Sequence, residues 1–145
     1  MLEIGELRSE DRAAWEALAR GYKAFYGTPT TDEQYQRTWS DLLDEGSGFY
    51  GFGARLDGQL VGITHYLFHP WFWYGDACYL QDLFVAEAAR GQGAARALIE
   101  RVADAARGHG ATRLYWLTQE NNARARMLYD KLARFNGFLR YDYQL

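Results

Sequence analysis

The sequence of 145 residues holds a single cysteine, Cys78. An intramolecular disulfide is therefore impossible, and a zinc site built on several cysteines is excluded. No run of about 20 apolar residues occurs, so nothing reads as a membrane-spanning helix. The opening stretch MLEIGELRSEDR turns acidic at Glu3 and lacks the apolar core of a secretory signal. The expectation is a cytoplasmic, reduced protein without a membrane partner. Repeats, linkers and low-complexity segments are also missing, and the length suits one domain, residues 1–145.

What is present is the balance of a globular chain. Hydrophobic residues make up 48% and aromatic residues 17%, enough apolar surface to exclude disorder as the main state. The net charge of −3 argues against a nucleic-acid partner. The charge is unevenly divided: residues 1–85 carry six Lys+Arg against thirteen Asp+Glu, whereas residues 86–145 carry ten against six. The first part suits a cationic ligand and the second an anionic one.

Periodicity predicts the elements. Residues 2–7 read as a strand, and Trp15, Leu18, Tyr22, Phe25 and Tyr26 form the apolar stripe of a helix stopped by Gly27. Thr31 opens a second helix, to about residue 44. Asp57-Gly58 joins strands 49–56 and 59–68 in a hairpin. Residues 77–85 (ACYLQDLFV) are apolar enough for a central strand. A helix to about residue 107, a strand at 112–117, a helix at 122–133 and a last strand at 138–143 complete the chain. This order implies an α/β or α+β fold with a mixed sheet.

The most informative stretch is LFVAEAARGQGAARALI, residues 83–99. A buried strand enters a turn with Gly91 and Gly93, then an amphipathic helix. Such a turn lets backbone approach a ligand and aims free N–H groups and the positive helix end at one spot, an anion site suited to phosphate. Arg90 and Arg96 add positive charge. It is neither a Walker loop, since no Gly-Lys-Ser/Thr follows, nor a dinucleotide fingerprint, since the third glycine is missing.

Arg90-x-x-Gly93-x-Ala95 after a strand resembles the acetyl-CoA pyrophosphate loop of the GNAT acetyltransferases. Asn122-x-x-Ala125-x-x-Leu128-Tyr129, with Gly137-Phe138 beyond the helix, is similar to that family's second motif. Residues 62–85 and the ending from Ala123 resemble the polyamine (spermidine/spermine, thialysine) and histone/polyamine acetyltransferase subgroup. The resemblance implies a mixed central sheet of six to seven strands flanked by about four helices, and acetyl-CoA as co-substrate with no metal. By the same resemblance, the backbone of Leu83, Phe84 and Val85 meets the pantetheine arm. Arg90, Gly91, Gln92, Gly93, Ala94, Ala95 and Arg96 hold the pyrophosphate, Asn122 contacts the pantetheine region, and Tyr129 is the acid for the departing thiolate. A homodimer is expected too.

Acetyl transfer to an amine needs a group that accepts a proton, because an alkyl ammonium has a pKa of about 10.4. The polyamine enzymes offer a Glu on this strand. Here the position is Gln81, which cannot take a proton, and strict alternation sends the next residue, Asp82, to the opposite face. Either a bulge re-aims Asp82, or water carries the proton to Glu120 or to solvent. Tyr26, Gln81 and Trp71 are the candidate acceptor-lining residues, although Tyr26 also fits a core, and the loop Trp71–Tyr74 also fits a subunit interface. His65 and His69, four apart in a strand, stand about 13 Å from each other, too far to share a metal ion. Cys78 reads as a small buried hydrophobe. The function expected is acetyl transfer to a small cationic amine: a polyamine, a diamine or an amino-acid-like compound. The alternatives are acetylation of a protein lysine or N-terminus, and a non-catalytic acyl-CoA sensor.

Overall fold

Asp57 and Gly58 both take positive φ, 52° and 84°, the two-residue turn whose twist suits paired strands. It folds β2 (Phe49–Leu56) onto β3 (Gln59–His69). The computed structural model describes all residues, 1–145. In it β1 (Leu2–Glu6) pairs antiparallel with β2, and β4 (Ala77–Val85) pairs antiparallel with β3. β5 (Arg113–Tyr115) lies parallel to β4, giving a mixed five-stranded sheet in the order β1-β2-β3-β4-β5.

Four helices cover the sheet. α1 (Arg12–Tyr26) and α2 (Asp32–Leu43) lie on one face, and α3 (Ala94–His109) lies on the other. α4 (Ala123–Leu132) packs Leu128, Tyr129 and Leu132 against the α3 side. Thr31 starts α2 with a reciprocal cap: its hydroxyl accepts the Gln34 amide at 3.2 Å, and its own amide donates to Gln34 Oε1 at 2.8 Å. α1 approaches β4 closely because Gly21 carries no side chain; a Cβ there would stand 3.0 Å from the Phe84 ring.

The two faces hold separate cores. Phe52, Ala54, Tyr66, Cys78, Leu80, Val85, Leu98, Ile99 and Val102 pack between the sheet and α3. Trp15, Leu18, Ala19, Tyr35, Trp39 and Ile63 pack between the sheet and the α1–α2 pair. Cys78 is fully buried and its thiol is pushed up to about 11 by that burial, so it behaves as the small hydrophobe expected.

The strand count differs from the six to seven expected. No strand follows α4, and the expected strand at 138–143 is absent. A ladder needs an edge to pair with, and β5 contributes only three residues. Leu139, Tyr141 and Tyr143 alternate with Arg140 and Asp142, but they and Phe138 are 75–89% exposed.

One buried ion pair ties the start of α1 to the sheet. Arg55 on β2 donates to the Asp11 carboxylate, which also accepts the Arg8 amide at 2.7 Å. Both Arg55 and Asp11 are buried. Asp11→Ala strands the Arg55 charge, a change that typically costs about 3–5 kcal/mol. Urea denaturation is expected to show a loss of that order with an unchanged m value.

Candidate active site

The β4–β5 ladder stops at Tyr79 opposite Tyr115, yet β4 runs on to Val85. From Leu80 to Val85 that edge of β4 has no strand beside it, so its outward N–H and C=O groups are open to a ligand. On its other edge β4 changes register against β3. His65 pairs with Asp82 and Tyr66 with Leu80, leaving Gln81 without a partner.

This bulge reverses the alternation. Cys78 and Leu80 face α3 before it, and Leu83 and Val85 face α3 after it. Asp82 and Phe84 therefore both face α1. The expectation from strict alternation, which sent Asp82 to the other face, is corrected: the extra residue re-aims its carboxylate. Gln81 itself is exposed.

Asp82 stands among hydrogen-bond donors. His65 Nδ1 lies 2.9 Å from Asp82 Oδ2, and Tyr22 and Lys23 of α1 stand near the same carboxylate. Burial opposes ionisation, but the His65 hydrogen bond, the nearby Lys23 ammonium and the Tyr22 hydroxyl outweigh it. Together they hold the carboxyl below its usual range. Tyr22 is raised in turn, by burial first and then by the charge of Asp82.

Aromatic rings continue from there along α1. Tyr22 and Tyr26 have centroids 5.1 Å apart, and Tyr26 meets Phe25 at 5.0 Å. Tyr129 on α4 packs edge-on against Trp116 at 5.4 Å. Burial, and secondarily the neighbouring Tyr26, push its phenol up to about 12. A phenol so placed keeps its proton at neutral pH and can offer it as a hydrogen bond to a neighbouring sulfur.

Between β4 and α3 the chain makes a short 3-10 turn, Glu87–Ala89, and then the glycine turn. Gly91 and Gly93 have φ of 83° and 84°, and a Cβ built on either would meet nothing within 4 Å. The turn thus stands clear of the protein with left-handed backbone that glycine supplies at little cost. No side chain caps α3 at Gly93, which leaves the first-turn amides, beginning with Ala94, Ala95 and Arg96, open to an anion. Arg90 is anchored by its Nε–H to the Val85 carbonyl at 3.2 Å, whereas exposed Arg96 pairs with Glu100 at 2.9 Å. An uncapped helix end beside an open strand edge fits a long, phosphate-bearing thioester such as acetyl-CoA.

Other expected residues lie further out. Asn122 precedes α4, with its amide donating to Thr118 Oγ1 at 3.3 Å. Trp71 sits beyond the end of β3, 6.0 Å from Tyr115 and 5.7 Å from His69 by ring centroids. Tyr115 stacks on Tyr79 at 4.9 Å, so Trp71 joins the site only through a row of rings. Phe72 and Trp73 are 87% and 93% exposed. His69 bonds the Tyr115 hydroxyl at 2.7 Å, away from His65. Sequence reasoning missed Trp15, Lys23 and His65, and left Tyr22 undecided. A usable signal was the seven-residue spacing of Trp15 and Tyr22, which puts both on one stripe of α1.

An open strand edge, a bulge-aimed carboxylate and an uncapped helix turn, set in one mixed sheet, define a transferase that draws its acyl group from a coenzyme A thioester. The chain belongs to the acetyltransferase (GNAT) family, whose model matches residues 12–134. It is 34% identical over 133 residues to a D-amino-acid N-acetyltransferase of Saccharomyces cerevisiae, covering 90% of this chain and 83% of that protein. In structure it is similar to a ribosomal-protein-alanine N-acetyltransferase from Brucella melitensis, with a TM-score of 0.82, 24% identity and full coverage of both chains. It is also similar to an aminoglycoside acetyltransferase solved with a CoA bisubstrate analogue, with a TM-score of 0.87 and 16% identity over 100% and 98% of the two chains. The protein is an N-acetyltransferase with acetyl-CoA as co-substrate.

Gly93→Asp tests the turn. Aspartate tolerates left-handed backbone better than most residues, so the fold is expected to survive. Its charge is expected to weaken acetyl-CoA binding by about tenfold or more, about 1.4 kcal/mol per decade. Calorimetric titration of the folded variant measures this.

Proposed function

We propose that the protein transfers an acetyl group to the primary amine of a small amino-acid-like acceptor, with Asp82 holding the ammonium and Tyr129 protonating the leaving sulfur. The observation that carries this reading is the Asp82 carboxylate, turned by the bulge among tyrosines beside the open β4 edge. Lys23 acts on the same carboxylate from α1. A cation close to an anion suits a zwitterion, whose carboxylate meets Lys23 while its ammonium meets Asp82. A polyamine has no group for Lys23 and is repelled by it. The D-amino-acid N-acetyltransferase from yeast, similar over most of the chain, supports the same preference.

Acetyl-CoA supplies the activated acetyl thioester. In the proposed site the glycine turn and the α3 N-terminus hold its phosphates, with Arg90 beside them, and the free edge from Leu83 to Val85 takes the pantetheine arm. Asn122 borders that arm. Asp82 places the amine. With its acidity held below the usual carboxylate range it binds an ammonium better than it deprotonates one. The proton therefore leaves before attack, to solvent rather than to Asp82, on the side where Gln81 is exposed. Positioning the amine against the thioester supplies much of the rate. Tyr26 and Tyr22 wall the acceptor. Trp71, at the end of the ring row, reaches only a longer acceptor. The whole chain acts as one catalytic domain.

Three outcomes test this. Tyr129→Phe is expected to lower kcat by about 10²- to 10⁴-fold with acetyl-CoA binding kept, because only the proton donor is lost. Turnover equal to wild type returns Tyr129 to a packing role. In thiol-release assays with D- and L-amino acids, polyamines and histone-tail peptides at equal concentration, amino acids are expected to be fastest. Faster polyamines contradict the role of Lys23, and faster peptides point to protein acetylation. With the preferred amine, kcat/KM is expected to rise with pH as the neutral amine accumulates. Asp82 gives no acid limb above the usual carboxylate range, since its lowered pKa keeps it charged there.

A further inference from the structure

Trp15 is the most deeply buried aromatic residue of α1, 1% exposed, yet its indole N–H is used. Nε1 donates to His65 Nε2 at 2.9 Å. An indole nitrogen can only donate, so His65 Nε2 carries the lone pair and Nδ1 carries the proton. That Nδ1–H points at Asp82 Oδ2, 2.9 Å away. The opposite tautomer would set a lone pair against a carboxylate oxygen at the same distance. Trp15 therefore chooses the tautomer, and the tautomer makes His65 a donor to Asp82.

The chain Trp15–His65–Asp82 runs from the core to the open side of the sheet. His65 faces Asp82 at the pair next to the register shift, where the ladder alone does not hold the side chain. Tyr22, two helical turns beyond Trp15, stands near Asp82 and helps to keep it ionised. One stripe of α1 thus reaches the carboxylate through His65, with the Tyr22 ring close by. His65 is half-buried, and both ring nitrogens are engaged within the protein, so it has none left for substrate.

We propose that His65, set in its Nδ1–H tautomer by Trp15, is a positioning residue for acetyl transfer: it fixes the direction of the Asp82 carboxylate and keeps one of its oxygens occupied, leaving the other for the acceptor ammonium. The proposal rests on the reading of Asp82 as the amine-holding group. It adds no proton-transfer step through the imidazole, because the indole N–H closes that route at Nε2.

His65→Leu, His65→Asn, Trp15→Phe and Asp82→Asn, assayed with the preferred amine, test it. Misplacing a reacting group by about 1 Å costs on the order of 10²-fold, so His65→Leu is expected to lose about that in kcat/KM with acetyl-CoA affinity unchanged. His65→Asn keeps an N–H close to the Nδ1 position and is expected to recover part of the loss; it also carries the test where His65→Leu fails to fold. The groups facing Asp82 are His65 from β3, Tyr22 and Lys23 from α1, and Tyr79 from β4. Without the His65 donor, burial acts on Asp82 with less opposition, and the acid limb of kcat/KM is expected to move to higher pH. A merely structural role would leave that limb in place. Nitrogen NMR of the histidine ring is expected to show a protonated Nδ1 and a bare Nε2 in the wild type, and a mixture of tautomers in Trp15→Phe. A protonated Nε2 in the wild type, or full turnover in a folded His65→Leu, overturns the proposal. Asp82→Asn separates the two readings. If it is as active as wild type, the amine-holding role of Asp82 fails; if it is impaired while His65→Leu is not, only the positioning role fails.

Discussion

Everything distinctive about the site depends on one unpaired residue in β4. Because Gln81 has no partner on β3, the strand changes the side to which its following residues point. Leu83 and Val85 can then join Leu80 and Cys78 in the core beneath α3, while Asp82 and Phe84 turn to α1. A regular strand would bury a carboxylate in the apolar α3 core or expose leucine on the other face. The bulge removes that conflict and is held in place by what it creates, since Asp82 meets His65 as soon as it turns. Strand geometry and electrostatics thus have a common origin.

The second element of the site depends on a partnership that ends early. β5 accompanies β4 for only three residues. Beyond Tyr79 the β4 edge is open, and its continuation leads to the glycine turn and the uncapped start of α3. Peptide groups that would be a liability on an ordinary sheet edge stand here beside the turn, open to an extended ligand. Family membership and acetyl-CoA dependence agree with that arrangement.

Much of this was legible in the sequence. Local signals marked the Asp57-Gly58 hairpin, the α2 cap at Thr31 and the glycine pair before α3, because each acts over four residues or fewer. Asp82 was visible as a residue but not as a direction. A bulge is a relation between two strands, and the run ACYLQDLFV carries no mark of where its partner slips. The roles of Trp15 and His65 were hidden for the same reason, since they stand 50 residues apart and meet only across the sheet. The final strand was over-read: 138–143 has the alternation of a strand, but alternation supplies a face and not an edge.

The two cores, one on each face of the sheet, share almost no side chains. Residues more than about 7–10 Å apart without common partners contribute to stability nearly additively. Variation on the α1–α2 face can thus accumulate without being constrained by the packing of α3. With the acceptor on the α1 side and coenzyme A on the α3 side, as proposed, the amine accepted is free to diverge faster than the donor.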